Sequence, residues 1–284
     1  MKDRQPSRVP PGVLISALAL LALVLVGCNL NVSATTTPAF SVGSTVFSVV
    51  RWADPSRAID VVFVADEGYG DLSNVTNRQN FLNDVADLID SGFWQNNMVV
   101  SNLGLFNFWF STEAGGDVEP PASGICPSVT WPSLTDAAFA EMAVIVHREN
   151  VRDCGGGGRA SAKAGGGREW IVVHESGHAA FGLPDEYCCD GGNWHIPPIL
   201  YNSQASCTGD AANAAWRDCR SFTSNSGTWW RSEDNNIDLM RDAGPTVWEI
   251  GPADWVIVSQ VLGALPGASP NTPSVFAPTN WDWP

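Results

Sequence analysis

Residues 169–187 constrain this chain more than any other segment, because two histidines stand four residues apart in an apolar run there. Apart from His174, Glu175 and His178, no residue from 171 to 181 is charged or titratable. Residues four apart lie on one face of a helix, about one turn from each other. The segment therefore predicts a half-buried helix that carries both imidazoles on the same side.

The spacing His-Glu-x-x-His is chemically specific. Two imidazoles one helical turn apart can bind a single zinc ion at about 2.0–2.1 Å, and the intervening glutamate can reach a water on that ion. The sequence thus predicts His174 and His178 as ligands of one catalytic Zn²⁺, with Glu175 as general base. The alternative is an amphipathic helix with two incidental histidines, but the chain has only four histidines.

A third ligand is expected where the chain turns back after this helix. Gly182 can end the helix in a left-handed conformation, and Pro184 prevents its continuation. Asp185 is the predicted third ligand, with Glu186 as its substitute. Alternatively, these acids orient the histidines by hydrogen bonds. Tyr187, which follows them, could donate to an oxyanion or could pack with its hydroxyl on the rim of the site.

The N-terminal segment predicts export. Three basic residues precede an apolar stretch over residues 13–26, which is the pattern of a secretory signal peptide at 1–27. Residues 25–28 resemble the bacterial lipobox, which predicts a lipid anchor at Cys28 in the cell envelope; the alternative is an ordinary signal and a secreted protein. Loss of three cations and one anion with this peptide takes the formal net charge from −15 to −17. We expect residues 28–50 to form a flexible tether.

Composition limits the remaining possibilities. A net charge of −15 repels phosphate backbones, so no nucleic-acid partner is expected. With 44% hydrophobic residues, the chain can form one sizeable core, predicted over 51–265 and followed by a loose Pro-rich tail over 266–284. The glycine-rich stretch 152–168 lacks the Gly-Lys-Ser/Thr ending of a nucleotide-binding loop. It is expected to be a mobile surface loop that binds no nucleotide.

Six cysteines besides Cys28 indicate disulfide bonds in an exported chain. Cys188 and Cys189 are adjacent, so each is expected to bridge to a different loop. A cysteine metal site is the rival interpretation, but no Cys-x-x-Cys pair supports it. The six are Cys126, Cys154, Cys188, Cys189, Cys207 and Cys219.

The periodicity of apolar residues predicts an α/β (α+β) fold, with a mixed twisted sheet and packed helices. A capping box at Thr76–Gln79 is expected to begin a helix that Gly92 closes. The other predicted elements are a buried strand over 59–65, one or two strands over 98–110, a strand over 143–146 and a last helix after Pro252.

Taken together, these segments resemble the IgA-peptidase family of metzincin-like zinc metallopeptidases. The resemblance rests on residues 174–178 (His-Glu-Ser-Gly-His), 181–183 (Phe-Gly-Leu) and 185–187 (Asp-Glu-Tyr). Residues 61–69 are similar to the family's opening strand and its Asp-Gly-Tyr turn, here with Glu67 inserted. Further similarity lies in residues 106–117 and in the glycine-rich loop, so that roughly 58–262 are covered.

The resemblance implies a zincin/metzincin-like domain, in which a methionine in a tight turn lies beneath the zinc. Met240 is the candidate for this Met-turn, and core packing is its alternative role. Metzincins usually place a glycine three residues and a third histidine six residues after the second histidine. This chain has Phe181 and Pro184 there, so the choice between Asp185 and Glu186 stays open.

The predicted function is an exported, lipid-anchored zinc endopeptidase that hydrolyses peptide bonds of extracellular proteins. The alternative is a surface lipoprotein that binds a partner through a structural or inactive zinc site. A zinc amidase acting on cell-wall peptides would share the chemistry and differ in substrate. The expected partners are a protein or peptide substrate and, through Cys28, the membrane.

Overall fold

The computed structural model describes residues 40–187, 193–211, 218–233, 238–241 and 249–273. The predicted signal peptide, its lipidation site and most of the predicted tether lie outside these ranges and stay predictions.

A seven-stranded mixed sheet forms the centre of the molecule, and three helices of 12 to 16 residues pack against it. The helices are α1 (Val75–Asp90), α2 (Asn97–Ser101), α3 (Trp170–Phe181), α4 (Gln204–Gly209) and α5 (Pro252–Gly263). The strands are β1 (Ser41–Val42), β2 (Val46–Val50), β3 (Ile59–Ala65), β4 (Phe106–Ser111), β5 (Asp117–Glu119), β6 (Ser128–Thr130), β7 (Met142–His147), β8 (Gly155–Gly156), β9 (Arg159–Lys163), β10 (Leu200–Tyr201), β11 (Asp218–Ser224) and β12 (Gly227–Glu233).

The strand order of the large sheet is β1-β2-β4-β3-β7-β9-β8. The inner strands β4, β3, β7 and β9 run parallel, whereas the outer strands β1, β2 and β8 pair antiparallel. Every residue of β3 and of β7 is buried, as expected for parallel strands covered on both faces. The predicted strands over 59–65 and 143–146 and the helix after Pro252 are confirmed, and the fold is mixed α/β.

Two sets of buried side chains cover the faces of this sheet. The larger set joins helices α1, α3 and α5 to one face, where Phe63, Phe108 and Val144 lie at its centre. The smaller set lies on the other face around Trp109 and Ile145. Helix α3 packs against β9 and β8, so the sheet supports the helix that carries both histidines.

Helix α1 begins earlier than the predicted capping box. Asn74 is its N-cap, and the side-chain Oδ1 of Asn74 accepts from the backbone N–H groups of Thr76 and Asn77 at 2.8 and 3.3 Å. The capping box Thr76–Gln79 is therefore wrong, because an asparagine two residues earlier satisfies the first N–H groups. The helix ends at the C-cap Ser91, directly before Gly92.

The prediction of strands over 98–110 is half wrong. Its first part forms helix α2, where the Asn96 side chain accepts from the backbone N–H groups of Met98 and Val99. Only its second part is a strand, namely β4. A capped helix of five residues is too short to show an apolar period, so the β-branched residues there resembled a strand.

The first part of the glycine-rich stretch forms an edge of the sheet and not a loop, whereas residues 165–167 lie in an exposed bend. Its first two glycines form β8, which pairs antiparallel with β9. The N–H of Gly158 donates to the carbonyl of Ala179 in helix α3 at 3.1 Å. A Cβ atom at Gly155 would lie 2.2 Å from the carbonyl oxygen of Glu175. Glycine is therefore needed here so that the strand can lie directly against the helix.

The predicted boundaries of the tether and the tail are corrected in part. Residues 41–50 form β1 and β2 and belong to the sheet, so the tether cannot extend to residue 50. At the other end, Asn271 exchanges hydrogen bonds with Asn102, whose Oδ1 accepts from the Asn271 N–H at 2.7 Å. The tail is thus attached at least that far.

No helix among the described residues is long and apolar enough to cross a membrane.

Two disulfide bonds confirm the prediction that the cysteines form bridges. Cys126 is bonded to Cys154, and Cys207 in α4 is bonded to Cys219 in β11. These bonds use all four cysteines among the described residues. The expectation that Cys188 and Cys189 bridge to different loops concerns residues outside the described ranges and stays a prediction.

A buried carboxylate in β3 leads to a first prediction. Asp60 is fully buried, and its Oδ1 accepts hydrogen bonds from Asn107 and Trp109 at 2.9 and 2.7 Å. Burial nevertheless raises the pKa of Asp60 to about 6, with a further contribution from Glu141. A raised pKa means that the wild type loses stability as pH rises through about 6. Asp60→Asn keeps the acceptor oxygen and has no carboxylate to ionise.

We expect the free energy of unfolding of Asp60→Asn, relative to wild type, to rise by about 2 kcal/mol between pH 4 and pH 7. Urea unfolding at both pH values measures this. Asp71 is exposed and hydrogen bonds from Ser73 lower its pKa, so it stays ionised over this range and Asp71→Asn should show little change with pH. A difference for Asp60→Asn that does not vary with pH would show that its carboxyl does not titrate in this range.

Candidate metal centre

Helix α3 carries the paired histidines on a buried face, as predicted. His174 and Glu175 are 3% and 5% exposed, so both side chains lie within the protein. Gly182 is the C-cap and adopts the predicted left-handed conformation, with φ 67° and ψ 29°. The Leu183 N–H then donates to the carbonyl of Gly177 at 3.0 Å, which closes the turn. The chain after the helix is thereby directed back toward the histidines.

This return brings Asp185 to the two imidazoles. The Oδ1 atom of Asp185 lies 3.3 Å from Nε2 of His174 and 3.2 Å from Nε2 of His178. The two Nε2 atoms are themselves 3.3 Å apart. The three atoms thus form a nearly equilateral triangle, which we call the His-His-Asp triad.

Hydrogen bonds on the far side of each ring define its protonation. Nδ1 of His174 lies 3.0 Å from the carbonyl oxygen of Leu239, and Nδ1 of His178 lies 2.7 Å from that of Leu183. A carbonyl oxygen can only accept, so each Nδ1 carries a hydrogen, and the neutral form of either ring has its lone pair on Nε2. In that form the two Nε2 atoms have no hydrogen to share.

The triad is suited to a small cation. Oδ1 of Asp185 is buried and accepts no hydrogen bond within the part of the chain that the structure describes, although both ring nitrogens are close. Three acceptor atoms thus converge without a donor between them, which is unfavourable unless a cation joins them. For tetrahedral zinc with bonds of about 2.0–2.1 Å, two ligand atoms lie about 3.3–3.4 Å apart. The spacing within the triad agrees with one face of that tetrahedron.

The electrostatics of the triad also favour positive charge. Burial disfavours the charged form of Asp185, but the adjacent imidazoles outweigh it and hold the pKa of Asp185 well below its usual range. Burial would lower the pKa of His178, yet Asp185 raises it above its ordinary value. Burial raises the pKa of Glu175, against the opposing influence of both histidines.

Glu186 does not join the triad, so the structure places Asp185, and not its predicted substitute, against the two histidines. The Glu186 carboxylate lies in a separate buried group with those of Asp238 and Asp254. A distant segment holds its backbone, because the N–H of Glu186 donates to the carbonyl of Met240 at 3.0 Å. With the backbone fixed there, the two consecutive acids point to different sides of the chain.

Met240 lies in a tight turn against helix α3. The side chain of Asp238 accepts from the Met240 N–H at 2.8 Å. The backbone carbonyl of Asp238 accepts from the Arg241 N–H at 3.1 Å. Met240 is fully buried, and a Cβ atom at Gly177 would lie 2.6 Å from its sulfur. The preceding residue, Leu239, supplies the carbonyl that holds His174. The turn therefore packs beneath the histidines and orients one of them.

A cleft of about 350 Å³ opens onto the triad. Glu175 lines it, and within the described part of the chain no hydrogen bond holds the Glu175 carboxylate. Tyr187 also lines the cleft, with its ring centre 6.1 Å from that of His174. Arg152 donates from Nη2 to the Tyr187 hydroxyl at 3.3 Å. Tyr187 thus lies beside the triad, on the side of the cleft that it shares with Arg152.

Three features of the site were not predicted. Asn193 donates from Nδ2 to the carbonyl of Asp185 at 2.7 Å and so holds the return segment. Asp153 lines the cleft and pairs with the buried His147 at 2.8 Å. The disulfide-bonded Cys126 and Cys154 form part of the wall. Only the cysteines carried a signal in the sequence, since the other contacts join residues without a shared motif.

Comparison with known proteins adds no relative to this description, since neither a protein-family model nor a curated protein matches the chain.

The contact between Gly177 and Met240 leads to a second prediction. Alanine usually stabilises a helix by about 1 kcal/mol relative to glycine. In Gly177→Ala, however, the new methyl group would overlap the buried sulfur of Met240, so we expect a net loss of about 1–2 kcal/mol of stability. The free energy of unfolding from urea denaturation measures this loss.

The control is a double-mutant cycle with Met240→Ala. Removing the sulfur should remove the overlap, so that Gly177→Ala becomes neutral or stabilising in that background. If the two effects simply add, the proposed contact between the helix and the turn is incorrect.

Proposed function

We propose that this protein is a zinc-dependent endopeptidase with a metzincin-like catalytic domain, as its resemblance to the IgA-peptidase family implies. The observation that carries the proposal is the His-His-Asp triad beside Glu175 at the base of an open cleft. His174, His178 and Asp185 would hold one zinc ion. Three protein ligands leave a fourth position for water or substrate, as in catalytic zinc sites.

Zinc bound there would lower the pKa of a water molecule to about 7 and polarise a substrate carbonyl. The protein's own groups provide the proton transfers. Glu175 would accept the proton of the attacking water and then deliver it to the leaving amine, acting first as base and then as acid. The Tyr187 hydroxyl, placed beside His174, would stabilise the oxyanion. Met240 would support His174 from below through its turn.

The site is proposed to face extracellular protein or peptide substrates. The N-terminal signal pattern with Cys28 supports export and lipid anchoring in a bacterial cell envelope, and the two disulfide bonds agree with an oxidising compartment. Nucleic acids and nucleotides are not expected as ligands. The acidic composition opposes the former, and the glycine-rich stretch forms strand β8 beside the helix instead of a phosphate-binding loop.

Glu175→Gln tests the catalytic role directly. It keeps the size and burial of the side chain but cannot take a proton from water. We expect one zinc per chain to be retained while casein or gelatin hydrolysis falls by about 10²–10⁴-fold. Metal analysis and a chelator-controlled assay measure both. A wild-type protein that binds zinc and cleaves neither peptides nor cell-wall amides would favour the surface binding module.

Asp185 and Glu186 offer a matched pair for the metal site. Asp185→Asn removes the charged member of the triad and should weaken zinc binding by at least about 100-fold. Glu186→Gln changes a buried acid outside the triad and should retain zinc affinity within about tenfold. Zinc titration against a competing chelator measures both, with circular dichroism as a check of folding. Equal losses in the two variants would contradict the assignment of Asp185 as ligand.

A further inference from the structure

The cleft carries an unusual share of the exposed apolar surface. Among the described residues, five large apolar side chains are exposed, and two of them, Ile125 and Trp194, line this one cleft. They are 43% and 40% exposed. A cleft lined by apolar and aromatic side chains beside a few polar groups is typical of a ligand-binding site.

Ile125 is held at the wall of the cleft because its neighbour forms a disulfide bond. The next residue, Cys126, is bonded to Cys154, which directly precedes strand β8. The N–H of Cys154 donates to the hydroxyl of Ser161 in β9 at 3.0 Å. Through these bonds the position of Ile125 is tied to the central sheet, next to the helix that carries Glu175.

Trp194 is fixed from a different part of the chain. Its neighbour Asn193 donates to the carbonyl of Asp185, and Asn193 Oδ1 accepts from the Ser226 hydroxyl at 3.4 Å. Trp194 therefore follows directly after a residue that is hydrogen-bonded to the backbone of Asp185. Ile125 and Trp194 thus reach the same cleft from two segments that are each anchored near the triad.

The charged groups of the cleft are largely engaged with one another. Asp153 pairs with His147, and Asp185 lies against the two histidines. Arg152 contacts Tyr187. The apolar side chains of the walls are therefore the ones that can contact a side chain of the substrate.

We propose that the substrate peptide places a bulky apolar side chain against Ile125 and Trp194, that this contact selects the cleavage site, and that the Cys126–Cys154 bond maintains it. This inference rests on the proposed peptidase function. The occupant is thus an extended peptide segment with a leucine- or phenylalanine-type side chain next to the bond that is cleaved.

The test compares two peptides that differ only in one residue beside the scissile bond, phenylalanine in one and alanine in the other. An unbiased peptide library first locates the cleaved bond in wild type. We expect kcat/KM to favour the phenylalanine peptide by at least about tenfold. Trp194→Ser and Ile125→Ser should each reduce this ratio several-fold. Trp52→Ser should leave it unchanged, since Trp52 is 57% exposed and does not line the cleft.

Binding to Glu175→Gln separates this inference from the catalytic proposal. Fluorescence anisotropy with the same labelled peptides should show the same preference for phenylalanine without turnover. If the peptides bind with this preference but wild type does not cleave them, the peptidase function fails and the apolar recognition stands. Cleavage or binding without preference overturns the apolar recognition alone, and no binding and no cleavage overturns both.

The role of the disulfide bond has its own matched pair. Cys126→Ser/Cys154→Ser should reduce the preference for phenylalanine at least several-fold, because Ile125 loses its covalent attachment. Cys207→Ser/Cys219→Ser opens the other bond, whose cysteines do not line the cleft, and should keep the preference. Zinc content and circular dichroism confirm that both variants are folded. A preference that survives opening of the first bond would show that the bond is not needed.

Discussion

His174 and His178 each donate the Nδ1 hydrogen to a backbone carbonyl, and the two carbonyls belong to different turns. One turn contains Met240 and the other ends helix α3. These hydrogen bonds orient both rings and leave their Nε2 lone pairs for a cation. The rest of the fold serves to hold the two turns in register with the helix, because β8 and β9 support the helix from the sheet side.

The sequence predicted those parts of the site that depend on short-range spacing. Two histidines four residues apart, followed by Gly182 and Pro184, are sufficient to indicate a helix with both rings on one face and a sharp end. The choice between Asp185 and Glu186 could not be made this way. It depends on the hydrogen bond from the Glu186 N–H to the carbonyl of Met240, which lies far along the chain.

Other parts of the fold were mispredicted for the same physical reason. The glycines at 155 and 156 have the composition of a mobile loop, yet they form a strand because helix α3 lies close enough to contact their backbone. Residues 41–50 read as a tether, but β2 pairs with β4 and so extends the sheet. In both cases a distant partner, and not local propensity, determines the structure.

The two neighbouring acids that face different groups have a consequence for how this chain could change. Asp185 meets the imidazoles because the chain returns at that distance from Gly182 and is held there by the hydrogen bond from the Glu186 N–H to the carbonyl of Met240. Deletion of one residue between Gly182 and Asp185 would move Glu186 into the register position that Asp185 now occupies. The length of this turn therefore helps to decide which acid faces the histidines, and a glutamate could take the place of the aspartate without any point substitution.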